Sequence, residues 1–358
     1  MEEPNRQEQF SGTKEVDPKH RLDEKALFDY MQKHVEGFQG PLQVEEFKGG
    51  QSNPTYKLIT PRASYVLRRK PPGILLKSAH AVDREYRVIS ALNKTSIPVP
   101  RTFCMCEDES VLGTMFYIME CVEGRVFWEP LVPGVSKEDR ARIFDSQVSF
   151  MANLHMVDYN AIGLGDFGSP GNYFARQISR WTKQYQASVT EDIPEMNRLI
   201  DWLPNNIPPD DSVSLVHGDF RLDNAIVHPT EPRIIAALDW ELSTIGHPLG
   251  DFTYHLMQWR SPDSDLGTTP EAELRAMGIP TEKEYAARYC ELTGRKNIEN
   301  LDFYFAYNFF RLAGILQGIL GRVRDGTAAS EHAAERASRV RPLSEAAWKY
   351  AQVAGAVG

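Results

Sequence analysis

The sequence predicts an α+β fold of two lobes: a small N-terminal antiparallel sheet carrying one helix, then a large helical C-terminal lobe. Three observations lead there. Between Val44 and Val122 the apolar pattern gives three strands, one helix and two strands, in that order. Beyond Gly124 apolar residues recur mostly at helical spacing. Within that helical half, a group of short strands between Val213 and Leu238 interrupts the pattern.

Residues 1–21 are polar and acidic, and are expected to form a disordered tail ahead of a single domain over residues 22–358. Leu22, Ala26, Leu27, Tyr30 and Met31 have the spacing of a helix from Leu22 to Val35. Val44–Phe47, Pro54–Ile59 and Ser64–Arg69 alternate as strands, with turns at Gly49-Gly50 and Pro61-Arg62. Ser78 suits the N-cap of a helix reaching Asn93, with Val82, Tyr86, Ile89 and Leu92 on one face. Strands follow over Arg101–Cys106 and Thr114–Val122, so the lobes divide into residues 22–119 and 125–358, joined by a linker at 120–124. In the second lobe Ser136-Lys-Glu-Asp139 matches a capping box opening a helix to Met156. Further helices are expected at Tyr173–Ala187, Glu195–Leu203, Leu249–Trp259, Glu282–Leu292, Leu301–Val323 and Glu331–Gln352. Short strands are expected at Val213–Val216, Ala225–Val227 and Arg233–Leu238.

Bulk properties remove several classes. A net charge of −9 argues against nucleic acid as a partner, because phosphate backbones require a basic surface, and the one basic run, Arg68-Arg69-Lys70, is short and lies in a strand. Four cysteines in 358 residues make no disulfide scaffold and read as reduced core thiols. The apolar run from Phe303 to Val323 is broken by Asn308, Arg311 and Gln317, which describes a buried helix rather than a membrane span. The N-terminus lacks the apolar core of a signal peptide, so a cytoplasmic location without membrane association is expected. Oligomeric state leaves no mark in the sequence.

The chemistry is concentrated in Val213-Ser-Leu-Val-His-Gly-Asp-Phe-Arg-Leu-Asp-Asn-Ala-Ile-Val227. A strand delivers His217-Gly218-Asp219 into a tight loop, Asn224 follows, and a later strand brings in Asp239. Phosphoryl transfer from ATP needs such a set. One carboxylate accepts the proton of the attacking hydroxyl, the role expected of Asp219. Mg²⁺ prefers oxygen ligands and keeps several waters, so the Asn224 amide oxygen and the Asp239 carboxylate suffice to hold it.

As a unit this segment resembles the catalytic loop and metal-binding segment of the aminoglycoside phosphotransferases, in which His-Gly-Asp-x₄-Asn replaces the His-Arg-Asp-x₄-Asn of protein kinases. The resemblance runs over nearly the whole chain. It implies the protein-kinase-like two-lobed fold, with Mg²⁺ and ATP, or GTP in its place, as cofactors. Phe47-Lys-Gly-Gly-Gln-Ser-Asn-Pro-Thr-Tyr56 occupies the position of the glycine-rich loop, so Gly49, Gly50, Gln51, Ser52 and Asn53 are expected against the phosphates. Arg68 stands where the family carries a phosphate-binding Lys, a departure, and Glu85 on the following helix is its expected ion-pair partner. The Glu120 carbonyl and the Val122 N–H resemble the linker groups that bind the adenine edge. Asp251, in Gly246-His-Pro-Leu-Gly-Asp251, is expected to accept N–H bonds from the catalytic loop, with His217 supporting it; His155, in Ala152-Asn-Leu-His155, reads as a hydrogen-bonded core residue.

A closer resemblance is to the kinase-like domain fused to acyl-CoA dehydrogenases of families 10 and 11, and to its free-standing bacterial relatives. Tyr65-Val-Leu-Arg-Arg-Lys-Pro-Pro-Gly73 and Leu238-Asp-Trp-Glu-Leu-Ser-Thr-Ile-Gly-His-Pro-Leu-Gly-Asp251 carry it. It makes Arg68 a subfamily trait and moves the expected acceptor from an antibiotic to a hydroxylated metabolite, an acyl thioester among the candidates. Two functions follow from the residues. One is a small-molecule kinase passing the γ-phosphoryl group of ATP to a hydroxyl. The other is a pseudokinase serving as a nucleotide-binding scaffold or sensor. Retention of Asp219, Asn224 and Asp239 favours the first, and Arg68 alone points to the second. Gly163-Leu-Gly165-Asp-Phe-Gly168 spells a dinucleotide fingerprint but follows a helix rather than a strand, and reads as a loop.

Overall fold

Strand alternation builds the first lobe. The computed structural model describes residue 7 and residues 10–48, 53–71, 81–325 and 338–357. β1 (Thr13–Lys14), β2 (Gln43–Phe47), β3 (Thr55–Ile59), β4 (Ser64–Arg69), β5 (Thr102–Cys106) and β6 (Phe116–Glu120) form one antiparallel sheet in the order β1-β2-β3-β4-β6-β5. On one face Tyr65, Leu67, Phe116 and Ile118 bury against Leu27 and Met31 of helix α1 (Glu24–His34). Their neighbours Val66, Tyr117 and Met119 pack on the other face with Val88, Ile89 and Leu92 of α2 (Val82–Leu92). Arg68 has the parity of Val66, so the period of the strand itself turns this cation toward α2 and the second lobe.

A short helix α3 (Glu109–Leu112) precedes β6. The second lobe comprises α4 (Lys137–His155), α5 (Tyr173–Ser188), α6 (Pro194–Trp202), two small β-ladders, and α7 (Pro248–Leu256), α8 (Asp265–Thr268), α9 (Glu271–Met277), α10 (Glu282–Thr293), α11 (Leu301–Arg324) and α12 (Val340–Val353). The ladders pair β7 (Ser214–Val216) with β10 (Thr244–Gly246), and β8 (Ala225–Val227) with β9 (Ile234–Ala237). α11 is the buried spine, its Phe303–Phe310 stretch being fully enclosed. Between the lobes, Arg125 exchanges two backbone hydrogen bonds with Val227, of 2.7 and 2.8 Å. Gly124 permits this approach, since a Cβ there would lie 2.5 Å from the Val227 carbonyl oxygen.

Some expectations need correction. The disordered tail over residues 1–21 is ordered in its described part. Thr13 and Lys14 pair with Phe47 and Glu46 on the open edge of β2. Gln7 donates from Nε2 to the Val126 carbonyl (2.8 Å) and accepts the Trp128 N–H (3.1 Å), and Phe10 packs on Trp128 with ring centroids 5.1 Å apart. Polar composition suggested a tail, but an amide side chain can substitute for a backbone bonding partner. At Ser136 only half of the capping box forms: its Oγ accepts the Asp139 N–H, whereas a complete box joins Thr281 and Glu284 at the start of α10. Ser78 and residues 331–337 of the last expected helix lie outside the described residues.

Candidate active site

β7 ends at Val216 and the chain turns at His217. Asp251, in the first turn of α7, accepts the His217 N–H on Oδ2 and the Gly218 N–H on Oδ1, both at 2.8 Å. His155 Nε2 lies 3.2 Å from that Oδ2, and its Nδ1 lies 2.7 Å from the Tyr289 hydroxyl. Burial alone would raise the Asp251 pKa, but these donors outweigh it and hold the carboxyl below the ordinary range. The N-cap of α7 is His247, whose Nδ1 accepts the Leu249 N–H. Asp251 is thereby free to serve the loop.

Gly218 has φ 88°, and a Cβ there would sit 2.6 Å from the Leu242 carbonyl oxygen, so the turn requires glycine. The His217 ring is fully buried. Its Nδ1 accepts the Asp219 N–H (3.3 Å), which leaves the proton on Nε2, facing the Leu238 carbonyl at 2.9 Å. Asn224 donates from Nδ2 to the Asp219 carbonyl (2.9 Å), and the Leu238 N–H donates to the Asn224 carbonyl (2.8 Å). With Ala225 paired to Ala237, this brings Asn224 and Asp239 to the same end of the β8–β9 ladder. The Asp219 carboxylate accepts the Tyr254 hydroxyl on Oδ1 (2.8 Å), with Arg221 Nε 3.7 Å away.

Between the lobes lies a cavity of about 700 Å³, whose wall includes Arg68, Glu85, Glu120, Val122, Asn224 and Asp239. Arg68 Nη2 donates to Asp239 Oδ1 at 2.6 Å, and its Nε lies 3.1 Å from Glu85 Oε2. Glu85 also accepts the Trp240 N–H on Oε1 (3.1 Å). One buried guanidinium therefore serves two carboxylates, one from each lobe. Burial pulls the Arg68 pKa down, but Glu85 and Asp239 outweigh it, so the net shift is upward and the cation persists. Asp239 has φ 63°, a left-handed conformation that costs a non-glycine residue about 1–3 kcal/mol and is typical of functional sites.

Asn53 donates to Glu241 Oε2 (3.2 Å), joining the loop after β2 to the segment carrying Asp239. Gly49, Gly50, Gln51 and Ser52 lie outside the described residues. Asp219 is not part of the cavity wall; it stands beyond Asn224 with its carboxylate turned to α7. Among the described residues no group of three or more His, Cys, Asp and Glu is arranged to hold a metal ion. The oxygens of Asn224 and Asp239 fit a hard cation that takes few protein ligands. Asn224 has committed its Nδ2 to the Asp219 carbonyl, among the described residues its amide oxygen accepts no hydrogen bond, and Asp239 uses only Oδ1 for Arg68.

Sequence reasoning missed Tyr254, Arg221 and Arg311 around Asp219, and Gln7 and Phe10 at the cavity wall. Two of these had a signal. Tyr254 lies three residues after Asp251, so a helix presenting one to the loop presents both. Arg311 is a charge inside an apolar run, and a buried charge needs a partner.

The model of the phosphotransferase enzyme family matches residues 43–291, from β2 into α10. Acyl-CoA dehydrogenase family member 11 of Homo sapiens is 42% identical over 337 residues, covering 92% of this chain and 43% of the relative. Family member 10 of Mus musculus is 41% identical over 334 residues, covering 91% of this chain and 31% of the relative. The chain thus spans less than half the length of these two relatives. A solved protein of Ralstonia eutropha JMP134, described as a candidate aminoglycoside phosphotransferase, matches with a TM-score of 0.85 and 52% identity, over 93% of this chain and 99% of that one. An aminoglycoside phosphotransferase in a ternary complex with ADP and hygromycin B shares the fold, with a TM-score of 0.61 and 16% identity over 94% of this chain and 99% of that one. Among the described residues no helix is long and apolar enough to cross a membrane. Matched over most of its length, the chain belongs to the phosphotransferase enzyme family and has its kinase-like fold.

Proposed function

We propose that this chain is a small-molecule kinase that transfers the γ-phosphoryl group of ATP, or of GTP, to a hydroxyl group of a metabolite. One observation carries the reading: Arg68, Asn224 and Asp239 converge on a single cavity between the lobes, with Asp219 bonded directly to Asn224 behind it. In this reading Gly49, Gly50, Gln51, Ser52 and Asn53 cover the phosphates. The Glu120 carbonyl and the Val122 N–H take the base. Among the described residues that N–H meets no acceptor, which suits the role. Arg68 exchanges its bond to Asp239 for one to phosphate oxygens while keeping Glu85. Asn224 and Asp239 would hold Mg²⁺, which supplies neutralisation of the charge on the β- and γ-phosphates.

Asp219 takes the proton of the acceptor hydroxyl as its oxygen bonds to the γ-phosphorus and the bond to the β–γ bridging oxygen breaks. His217 and Asp251 fix the turn that carries it. Hydroxylated acyl thioesters are the first acceptors to try, since the relatives are named acyl-CoA dehydrogenases. The net charge of −9 speaks against nucleic acid as a partner.

The test is thermal unfolding with ATP, with and without Mg²⁺, alongside phosphate transfer over a panel of alcohols. ATP at a hundred times its Kd should add about 2.7 kcal/mol of stability, most of it lost without Mg²⁺ or in Asp239→Asn. Nucleotide binding without transfer to any alcohol would put the scaffold reading in its place.

A further inference from the structure

The Asp219 side chain is 24% exposed, so packing alone does not orient it. An aspartate rotates readily about its last torsion, which exchanges its two oxygens. What orients it is Tyr254 of α7, whose hydroxyl donates to Oδ1 at 2.8 Å. Among the described residues Oδ2 accepts no hydrogen bond. Tyr254 is itself braced. The Arg311 guanidinium of α11 lies over its ring, 4.6 Å from the centroid, and donates from Nη2 to the Gly218 carbonyl at 2.7 Å. On α5, the Trp181 ring lies 5.9 Å from the same guanidinium. Arg311 is 5% exposed, and among the described residues it forms no ion pair. A buried cation without a carboxylate partner is costly, and here its contacts are a tyrosine face and the turn that carries Asp219.

We propose that Tyr254, braced by Arg311, is a positioning residue that pins Oδ1 of Asp219 and presents Oδ2 to the acceptor hydroxyl. This rests on the kinase reading above and adds to it the group that selects which oxygen takes the proton. A tyrosine suits the task because it keeps its proton. Burial raises its pKa, and the neighbouring Asp219 charge raises it further, so it remains a donor at neutral pH. The hydrogen bond also links the proton acceptor to three helices of the second lobe, α5, α7 and α11.

The experiment measures steady-state turnover of Mg–ATP, with phosphate release to water and transfer to the alcohol panel as readouts. Tyr254→Phe keeps the ring and removes the donor. It should lower kcat by about ten- to a hundredfold, with KM for ATP within about twofold of wild type. Arg311→Met should lose kcat in the same way, whereas Arg311→Lys keeps a cation under the ring and should retain most of it. The double variant Tyr254→Phe/Arg311→Met should lose no more than the worse single one, because both act through Asp219. Fully additive losses, unchanged kcat in Tyr254→Phe, or a KM for ATP rising as kcat falls would overturn the proposal. Should Tyr254→Phe fail to fold, Arg311→Lys against Arg311→Met decides the same question. A wild type that binds ATP but releases no phosphate overturns the kinase reading and this one with it. An active wild type with an indifferent Tyr254→Phe overturns this one alone.

Discussion

The turn carrying Asp219 and the cluster carrying Asp239 are fixed by opposite means. The turn is fixed by backbone. Two N–H groups end on the buried Asp251, and the Gly218 carbonyl ends on Arg311. None of these contacts involves a group that a ligand would replace. The cluster is held by side chains, with one guanidinium divided between Glu85 of the first lobe and Asp239 of the second. Charged side chains can re-pair; backbone donors on a buried carboxylate cannot. In the kinase proposed above, the difference would separate what stays still during transfer from what yields to phosphate and metal.

The comparison breaks most visibly at Asp251. Asp251→Ala orphans two buried N–H groups and the Nε2 of His155, and should destabilise the fold by about 3–5 kcal/mol in urea unfolding. A loss under about 1 kcal/mol would mean that the turn is held by something else. The next effect is acid sensitivity on the fixed side. Burial pushes His247 and His255 from 6.5 down to about 4, so the fold keeps both neutral. Their contribution is complete above pH 6.5 and disappears as pH falls through that window toward 4, by roughly 3 kcal/mol each. His255→Gln should flatten part of that slope in unfolding measured from pH 7 to 4. The smallest effect belongs to the exchangeable side. Arg68→Lys supplies a point charge that serves one carboxylate at a time, and should weaken Mg–ADP binding about tenfold while changing stability by only about 1 kcal/mol. Calorimetric titration checks the affinity, and a stability loss as large as that of Asp251→Ala would erase the distinction.

Much of this was legible because periodicity carries it. The parity of Val66 and Arg68 on β4 is written in the alternation of Ser64–Arg69, and the bounds of that strand agree between sequence and structure. The long helices follow from spacing as well, with Tyr173–Ser188 and Leu301–Arg324 within a residue of expectation. Where the pattern is too short, reading failed. β1 has two residues, too few to show a period, and exists because the open edge of β2 offered it a partner; β10, Thr244–Gly246, exists by pairing with β7 across about 30 residues of chain, which local spacing does not show. At the site, residue types and spacing pointed to Asp219, Asn224 and Asp239. That Arg68 would bond Asp239 as well as Glu85 was not legible, because it depends on two lobes meeting across 171 residues.

The crossover between lobes has a mechanical corollary. Arg125 is laced on both sides to Val227, at the far end of the three-residue strand that starts beside Asn224. The joint is therefore not a free swivel. Rocking the small sheet would tug on the same ribbon that carries Asn224, so in the kinase proposed above any closure of the lobes would be geared to the cation through a single short ladder.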